Sequence, residues 1–476
     1  MSDFPIAVDL DGTLVHTDML HESLLAMLRN HPARVLSTPY WLSRGKAYFK
    51  KQVADFADFD PGSLPYNEEL LQWLKLQKQQ GRKLILCTAS DRSVAQRIAD
   101  HLDIFDQVFA SDGDTNLSGK QKAKLLVQHY GDRGFDYVGN AHVDLQVWQH
   151  ANAAILINCD GRLSRQVHQA HHVTAEFNCK KPVWPVIAKA LRVHQWAKNL
   201  LLFMPILASH QVADSTAWLL LIMAFLAFSF TASGVYLLND LLDLENDRRH
   251  LRKRLRPFAS GRLSIIVGVL LAPLMVIAGV MLAYLVGHLF FLVLLFYFIT
   301  TTLYSWWLKQ FIILDCLVLA MLYTLRIIAG TVAVSLDISF WMLAFSIFLF
   351  MSLAYVKRYA ELQEQDGNSD KRLYGRGYYP GDASLVQMLG IVSGYLSVLV
   401  LALYINSDVV IRLYQIPELV WAAVPVMLFW ISWIWLKAHR GEMHDDPVVF
   451  AIKDKVSLLS GVLFAIVVLI ASVGLA

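Results

Sequence analysis

Residues Leu237–Arg262 read LLNDLLDLENDRRHLRKRLRPFASGR, and they follow directly on a long, mostly apolar stretch, WLLLIMAFLAFSFTASGVY. Four acidic residues come first, and a series of arginines and lysines follows. The apolar run is long enough to cross a hydrocarbon core roughly 30 Å thick, so the charged stretch is predicted to lie at a membrane surface. Positive charge is ordinary there, whereas acids at such regular intervals need another explanation.

The composition divides the chain into two different parts. Hydrophobic residues make up 56% of the 476 residues and charged residues only 17%. This average hides a break near residue 195, since the residues before it are mixed and charged while those after it form successive apolar runs. We therefore predict a soluble domain fused to a polytopic membrane domain. The net charge of +3 is small, and no nucleic-acid partner is expected.

The apolar runs predict nine transmembrane helices and a side for their loops. The connections at 239–262, around Lys309, at 358–383 and at 437–455 carry nearly all the Lys and Arg of this region. By the positive-inside rule these connections face the cytoplasm, and the start of the chain shows no secretory signal pattern. The prediction is a multi-pass protein of the bacterial inner membrane with its soluble domain in the cytoplasm. The nine spans are about 199–212 (short), 217–238, 264–286, 289–308, 311–334, 338–357, 384–405, 418–436 and 456–475.

The soluble part alternates strand-like and helix-like segments. FPIAVDL, KLILCTA, QVFAS, FDYVGN and AAILIN are short apolar runs suited to buried parallel strands, and helical patterns lie between them. This alternation predicts a doubly wound, Rossmann-like α/β sheet, with residues 16–60 as a small helical cap. The predicted domains are 1–160, a linker with an interfacial helix at 161–195, and an all-α membrane domain at 196–476.

The first predicted strand ends in Asp9-Leu10-Asp11-Gly12-Thr13. Two carboxylates one residue apart at the carboxyl end of a strand both point into the crevice where α/β proteins bind ligands. One can attack phosphorus while the other handles the proton of the leaving group. The pattern therefore predicts phosphoryl-transfer chemistry at this edge of the sheet.

Residues 4–160 resemble the haloacid dehalogenase (HAD) phosphatases. The resemblance implies that Asp9 is the nucleophile, that Asp11 is the general acid and base, and that Thr88 binds the phosphoryl group. Lys122, rather than Lys120, would neutralise that group. Asn140 and Asp144 in GNAHVD would hold Mg²⁺ together with Asp9 and Asp11. Asn140 stands where most members have Asp, so the metal site has one charge fewer.

In the opening stretch, Asn239, Asp240, Asp243 and Asp247 form an N-D-x-x-D-x-x-x-D pattern. On a helix, positions 239, 243 and 247 fall on one face about one turn apart. Such a ladder of oxygen ligands suits Mg²⁺, and Mg²⁺ in turn binds a diphosphate. The basic residues that follow, among them Lys253 and Arg256, suit the remaining phosphate charge. A loop that merely obeys the positive-inside rule would explain these bases but not the acid spacing.

This motif on a nine-span protein resembles the UbiA prenyltransferase superfamily. Ordinary members carry a second motif, DxxxD, where this chain has Lys357, Arg358 and Glu361. Asp366 and Asp370 have that spacing but lie in a Gly/Asn/Ser context. RVHQWAKNLLLFMP (192–205), RPFASG (256–261) and KRYAEL (357–362) resemble one branch, the decaprenyl-phosphate phosphoribosyltransferases.

That branch transfers 5-phosphoribose from phosphoribosyl pyrophosphate (PRPP) to a polyprenyl phosphate. The resemblance implies one Mg²⁺ in each domain and a homo-oligomer such as a trimer. In the membrane domain, Asn239, Asp243 and Asp247 would bind Mg²⁺. Lys198, Lys253, Arg256, Lys357, Arg358 and Glu361 would bind the substrates. Intramembrane Asp315 and Arg326 would either line the cavity or form a structural ion pair.

Three alternatives remain at this point. In the first, the membrane part would be a conventional prenyltransferase with an aromatic acceptor. In the second, the HAD part would act on an unrelated phosphate ester or be regulatory. In the third, the whole protein would be a transporter or a scaffold. Competition by isoprenyl diphosphates separates the first alternative from phosphoribosyl transfer.

Overall fold

A computed structural model describes residues 4–177, 183–209, 213–250, 252–364, 376–443 and 446–473. The chain forms two compact units. The first consists of Met1–Leu191 together with Tyr236–Ala272, and the second of Arg192–Val235 together with Pro273–Ala476. Asp366 and Asp370 lie outside the described residues.

The first unit contains a six-stranded parallel sheet in the order β3-β2-β1-β4-β5-β6. All five strands expected from the sequence are present, which confirms the predicted α/β class. The strand β1 lies between β2 and β4. The strands β2 and β3 extend the sheet on one side of β1, and β4 to β6 extend it on the other side. This reversal makes the carboxyl end of β1 the natural ligand position of the sheet. The strands are β1 Ile6–Val8, β2 Leu84–Asp91, β3 Gln107–Ser111, β4 Asp136–Gly139, β5 Ala154–Ile157 and β6 Val173–Phe177.

Helices cover both faces of the sheet. Alternate residues of β1 enter opposite cores, since Ile6 and Val8 pack in one apolar cluster and Ala7 in the other. The predicted helical cap is formed by α1 to α3. The helices up to residue 190 are α1 Met19–Asn30, α2 Thr38–Ser43, α3 Lys46–Asp55, α4 Glu68–Gln79, α5 Arg92–Leu102, α6 Lys120–Tyr130, α7 Leu145–Trp148, α8 Gly161–Ala170 and α9 Val183–Ala190.

The α/β sheet extends further along the chain than the sequence indicated. Residues 161–177, predicted to belong to the linker, form α8 and the sixth strand β6. The side chains of β6 are only half-buried or exposed. An edge strand of this kind lacks the continuous apolar run that marks a buried strand, so the predicted linker began too early.

The remaining helices are mostly long and apolar. In the part of the chain that the structure describes, eight helices have the length and composition to cross a membrane, and each matches one of the predicted spans. The protein is therefore a multi-pass membrane protein. The helices are α10 Met204–Ala208, α11 Ser215–Leu242, α12 Leu244–Arg249, α13 Ile265–Val286, α14 His288–Trp306, α15 Leu314–Ala333, α16 Phe340–Gln363, α17 Ala383–Ile405, α18 Asp408–Leu413, α19 Ala423–His439, α20 Pro447–Lys453 and α21 Lys455–Val473.

The ninth predicted span, about 199–212, is not confirmed. Val193–Phe203 is a 3₁₀ helix, α10 adds only five residues, and residues 210–212 lie outside the described part of the chain. Polar side chains tie the segment to its neighbours: Asn199 Nδ2 donates to Ser229 Oγ at 2.9 Å, and Arg326 Nε donates to Asn199 Oδ1 at 2.9 Å. These polar contacts explain why the segment is not a continuous apolar helix.

A glycine allows this segment to approach α15 closely. A Cβ added at Gly330 would lie 2.1 Å from the carbonyl oxygen of Leu202. We expect Gly330→Ala to lower the free energy of unfolding by about 1–3 kcal/mol, because the backbone must move to relieve the overlap. Thermal unfolding in detergent measures this change. The matched control is Gly461→Ala in α21, where an added Cβ meets nothing within 4 Å; equal effects of the two substitutions would contradict the packing argument.

Candidate active sites

The first site lies at the carboxyl end of β1. Asp9 is 8% exposed, and its Oδ1 accepts hydrogen bonds from Lys122 Nζ at 2.8 Å and from the amide of Leu10 at 2.9 Å. Burial raises the pKa of Asp9, and the charge of Lys122 opposes that effect. Burial alone would lower the pKa of Lys122, but Asp9 and Asp144 raise it. The structure thus places a buried lysine on the predicted nucleophile, and this lysine is Lys122 rather than the exposed Lys120.

Asp11 is held in an orientation that differs from that of Asp9. Its Oδ1 accepts from the amide of Met19 at 2.8 Å, and its Oδ2 accepts from Ser90 Oγ at 2.7 Å. Burial, with the nearby charges of Asp18 and Asp9, raises the pKa of Asp11 to about 7. A carboxyl group with a pKa near neutrality can donate a proton and take it back, which suits the role of a general acid and base.

Two further polar residues at this site, Ser90 and Lys50, were not predicted from the sequence. Ser90, at the end of β2, bonds to Asp11, while the predicted phosphoryl ligand Thr88 is fully buried and accepts from the amide of Ser90 at 3.0 Å. Lys50, on the cap helix α3, donates to the carbonyl of Ala89 at 2.7 Å. The negative charge of Asp11 acts on Lys50 from nearby. Lys50 therefore brings a positive charge from the cap to the neighbourhood of Asp11.

Both carboxylate oxygens of Asp144 accept hydrogen bonds within this site. Its Oδ1 accepts from Tyr137 Oη at 2.9 Å, and its Oδ2 accepts from the amides of Asn140 and Ala141 at 3.0 Å each. Both oxygens are thus used to hold the loop after β4 and the Tyr137 hydroxyl, which in turn accepts from Lys122 at 2.9 Å. Asp144 therefore positions Tyr137 and the loop after β4, and its role as a metal ligand remains a prediction.

The chemistry of the remaining donors fits Mg²⁺. Asn140 lies against Gly12, where an added Cβ would come within 2.2 Å of Asn140 Nδ2, so its amide stands beside the loop of Asp9 and Asp11. Two carboxylates and an amide are oxygen donors of the kind that Mg²⁺ takes. Asp9, Asp11 and Asn140 are therefore the residues that would hold the ion.

The neutral amide of Asn140 predicts weak metal affinity in the phosphatase domain. We expect Asn140→Asp to lower the Mg²⁺ concentration for half-maximal phosphatase activity by about tenfold, because a carboxylate adds a full charge to the ligand set. Hydrolysis of p-nitrophenyl phosphate against Mg²⁺ concentration measures the change. Asn158→Asp, at the end of a neighbouring strand, controls for added charge; an equal shift in both variants would contradict the assignment.

The second site is the acidic segment that ends α11. The α-helix stops at Leu242, and Asp243 separates it from α12. Two backbone hydrogen bonds continue across this break, from the amide of Asp243 to the carbonyl of Asn239 at 2.9 Å and from the amide of Asp247 to the carbonyl of Asp243 at 2.8 Å. The helical spacing of the three residues is thus kept in the backbone.

The carboxylates that share a cation are Asp240 and Asp247. Arg256 Nη1 donates to Asp240 Oδ1 at 3.1 Å and to Asp247 Oδ2 at 2.6 Å, and each of the two aspartates is only 3% exposed. Burial raises the pKa of Asp247, and Arg256 and Lys253 oppose the shift. Arg256 was expected to face the substrate, but here it joins the two acids. Carboxylates gathered around one cation are of the type that suits Mg²⁺, and one of the two here is Asp240, which the predicted ladder did not include.

Among the described residues, no three His, Cys, Asp or Glu side chains lie close enough together to hold a metal ion by themselves. Asn239 would add an amide oxygen, which is not among these four side-chain types. Asn239 and Asp243 are both half-buried, and their roles as ligands remain predictions.

In the second unit, two lysines meet at one carboxylate. Lys198 Nζ donates to Asp446 Oδ2 at 2.7 Å, and Lys357 Nζ donates to the same oxygen at 3.2 Å. The hydroxyl of Tyr323 donates to Asp446 Oδ1 at 2.8 Å. Burial alone would raise the pKa of Asp446, but the two ammonium groups hold it below its ordinary value. These three donors, here called the lysine site, form a position for one anionic group.

Arg358, unlike the two lysines, pairs with acidic side chains inside the helix bundle. It is fully buried, pairs with Asp315 Oδ2 at 2.7 Å and also bonds to Glu361. Arg376 reaches the same two acids at 3.3 and 3.2 Å. The expected substrate-binding residues Arg358 and Glu361 thus form a buried ionic network with Asp315. Asp315 was considered as the partner of Arg326, but the structure pairs it with Arg358 instead.

Arg326 is also bonded within the membrane part. Its Nε donates to Asn199 and its Nη2 donates to Tyr297 Oη at 3.1 Å. The side chain is 5% exposed. Its charge lies near Lys198 and contributes to the positive potential of the lysine site.

Comparison with known proteins gives two family matches. The model of the UbiA prenyltransferase family matches residues 201–454, and the model of the haloacid dehalogenase-like hydrolases matches residues 6–148. The order of the two matches agrees with the fusion predicted from the sequence.

Individual relatives show how far the similarity extends. Uncharacterized protein y4nM of Sinorhizobium fredii is 37% identical over 465 residues, which cover 97% of this chain and 90% of that protein. Nodulation protein NoeC of Azorhizobium caulinodans is 38% identical over 277 residues, which are 57% of this chain and 88% of NoeC. The decaprenyl-phosphate phosphoribosyltransferase of Mycolicibacterium smegmatis is 34% identical over 183 residues, or 37% of this chain and 57% of that enzyme. The last match is partial.

Proposed function

Because the chain belongs to the UbiA prenyltransferase family and carries a haloacid dehalogenase-like hydrolase domain before its membrane part, we propose that it makes a polyprenyl-phosphoryl ribose in two steps. The membrane domain transfers 5-phosphoribose from PRPP to a polyprenyl phosphate, and pyrophosphate leaves. The phosphatase domain then removes the 5-phosphate. Both steps take place on the cytoplasmic side of a bacterial inner membrane, and the product supplies ribose for cell-envelope glycans.

The observation that carries this proposal is the lysine site. Lys198, Lys357 and Tyr323 converge on one carboxylate, Asp446, in a chain whose KRYAEL segment replaces an acidic motif by cations. A second metal cluster would need acids at this place. Two lysines and a hydroxyl suit a phosphate group, and a lipid phosphate is the acceptor that phosphoribosyl transfer requires. The contacts with Asp446 support this, because they show that the three donors can bind an anionic group.

In the transfer step the C1–O bond to pyrophosphate breaks and the bonding pair leaves with pyrophosphate. An oxygen of the lipid phosphate forms the new bond at C1, and because a phosphate is already ionised, no general base is needed. The acidic segment of Asn239, Asp240, Asp243 and Asp247 would hold Mg²⁺, which would supply positive charge to the leaving diphosphate. Lys253 lies where its charge acts on Asp247.

In the hydrolytic step Asp9 attacks the phosphorus of the 5-phosphate and forms an aspartyl phosphate. Asp11 donates its proton to the ribose oxygen that leaves, and it then takes a proton from the water that releases inorganic phosphate. Lys122 balances the charge that gathers around Asp9. Mg²⁺ on Asp9, Asp11 and Asn140 would supply further positive charge to the phosphoryl group.

Labelled PRPP tests the proposal. Membranes that contain the chain, given Mg²⁺, ribose-labelled PRPP and a polyprenyl phosphate, are expected to move the label into lipid. We expect Lys357→Met to raise the KM for the lipid phosphate by about tenfold, because a charge-assisted hydrogen bond to that phosphate is lost. Lys437→Met, which removes an exposed pair with Glu442, is the control. Label that enters an aromatic acceptor from an isoprenyl diphosphate, with none from PRPP, would instead support a conventional prenyltransferase.

A further inference from the structure

One arginine of the basic run is buried against the phosphatase domain. Arg248 Nη2 lies 2.5 Å from Glu22 Oε1, and Arg248 Nη1 lies 3.1 Å from Glu22 Oε2. The two side chains are only 6% and 7% exposed. Glu22 belongs to the cap helix α1, and Arg248 belongs to α12, directly after Asp247. A paired, two-contact geometry fixes orientation as well as distance.

The same arginine holds the segment that supplies Arg256. Arg248 Nε donates to the carbonyl of Ala259 at 3.1 Å, so one guanidinium group links α12 to the RPFASG segment and both to α1. Within this frame Arg256 joins Asp240 and Asp247. The position of these acidic side chains is therefore tied, through Arg248, to a residue of the phosphatase domain.

Glu22 is fixed from its own side. The hydroxyl of Thr17 donates to Glu22 Oε1 at 2.7 Å, and the carbonyl of Thr17 accepts from the amide of Gly12. The first residue of α1, Met19, donates its amide to Asp11. The helix that carries Glu22 is thus anchored on the loop of the catalytic carboxylates.

The loop 239–262 also packs closely against the phosphatase domain, at Gly261 and His16. Gly261 has a φ of +68°, and a Cβ there would lie 2.5 Å from His16 Cβ. Burial lowers the pKa of His16, and the charge of Arg262 adds to the effect. Such close packing places the phosphatase domain and the loop 239–262 on the same side of the membrane.

We propose that Glu22 is a positioning residue for the diphosphate-binding segment of the membrane domain. By holding Arg248, Glu22 keeps Asp240, Asp247 and Arg256 in the arrangement that receives a metal-bound diphosphate. The phosphatase domain then supports the diphosphate-binding segment structurally, independently of its own chemistry. The inference rests on the diphosphate-binding part of the proposed function and on no particular sugar or lipid.

Calorimetry with inorganic pyrophosphate and Mg²⁺ tests this role in the purified full-length chain. We expect Glu22→Gln to raise the Kd for pyrophosphate about tenfold with an unchanged number of sites per chain. A variant that only misfolds would lower the number of sites and leave the Kd of the remaining fraction unchanged. Glu22→Asp, which keeps the charge, is expected to recover part of the affinity. Asp247→Asn is expected to remove binding, which identifies the site.

Two controls separate the contact from other effects. Asp60→Asn removes a more exposed ion pair with Arg249 in the same contact region, and it is expected to leave the Kd unchanged. Asp103→Asn makes the same kind of chemical change at an exposed position of the phosphatase domain, and it too is expected to leave the Kd unchanged.

Equal affinities in Glu22→Gln and in the original chain would overturn the inference, as would the absence of pyrophosphate binding in the original chain. If PRPP labels no lipid while Glu22→Gln still weakens pyrophosphate binding, the proposed substrate is wrong and the positioning role stands. Should Glu22→Gln fail to fold, Arg248→Lys gives the same test, because it keeps the charge and removes the two-contact geometry.

Discussion

Replacing Asp9 by asparagine is expected to lower the release of inorganic phosphate by about 10³-fold or more, because the amide cannot act as the nucleophile. Transfer of label from PRPP to lipid is expected to continue. The lipid product should then keep its 5-phosphate and accumulate. Phosphate release and the charge of the labelled lipid measure the two steps in one reaction.

The prediction for Asp9 depends on the contact with Lys122. The loss of the carboxylate leaves this buried lysine with less compensation, so folding needs a separate check. Asp103→Asn makes the same chemical change at an exposed position of the same domain, and it is expected to leave both steps intact. Phosphate release that is unchanged in Asp9→Asn would show that the phosphatase step takes place elsewhere.

Replacing Asp247 by asparagine is expected to lower kcat/KM for transfer to the lipid by about 10³-fold, since metal-borne charge stabilisation is worth several kcal/mol. Asp247 belongs both to the ladder predicted from the sequence and to the pair of aspartates that contacts Arg256 in the structure. Hydrolysis of p-nitrophenyl phosphate by the phosphatase domain should persist. Transfer of ribose label into lipid, compared with that hydrolysis in the same preparation, measures the effect.

Glu245→Gln is the matched control for Asp247. Glu245 lies two residues away on α12 and pairs with the exposed Arg249, so its replacement is expected to change transfer less than about threefold, as is usual for exposed pairs. Asp240→Asn distinguishes the two geometries. The structure predicts a large loss, because Asp240 shares Arg256 with Asp247, whereas the ladder alone assigns Asp240 no role. Full activity in Asp240→Asn would favour the ladder.

The membrane helices were predictable because their signal is local. An apolar run of sufficient length is favourable in a bilayer whatever its neighbours are, and eight of the nine predicted spans match helices of the structure. The exception is the segment with Lys198 and Asn199. Its polar side chains bond to residues far along the chain, and no local window contains those partners.

The phosphatase domain shows the same division. The five predicted strands follow from short apolar runs, and the two aspartates after β1 follow from the position of the motif. The sixth strand was not predicted, because its side chains are half-buried or exposed and form no continuous apolar run. Ser90 and Lys50 were not predicted either, because they belong to no motif. Ser90 donates to Asp11 from β2, and Lys50 donates to the carbonyl of Ala89 from the cap. Asp144 lies in a predicted motif, but its hydrogen bonds with Tyr137 and with the amide of Asn140 could not be predicted from that motif.

By itself the sequence determined the two domains, the membrane class and the chemical type of each motif, because hydrophobic transfer and local spacing act along neighbouring residues. Only the tertiary structure decided which charge meets which. Arg248 pairs with Glu22, Arg256 with Asp240 and Asp247, and Arg358 with Asp315. A buried charge must find a partner, and that partner is chosen by which helices and loops come together. Residue type and spacing cannot specify this choice.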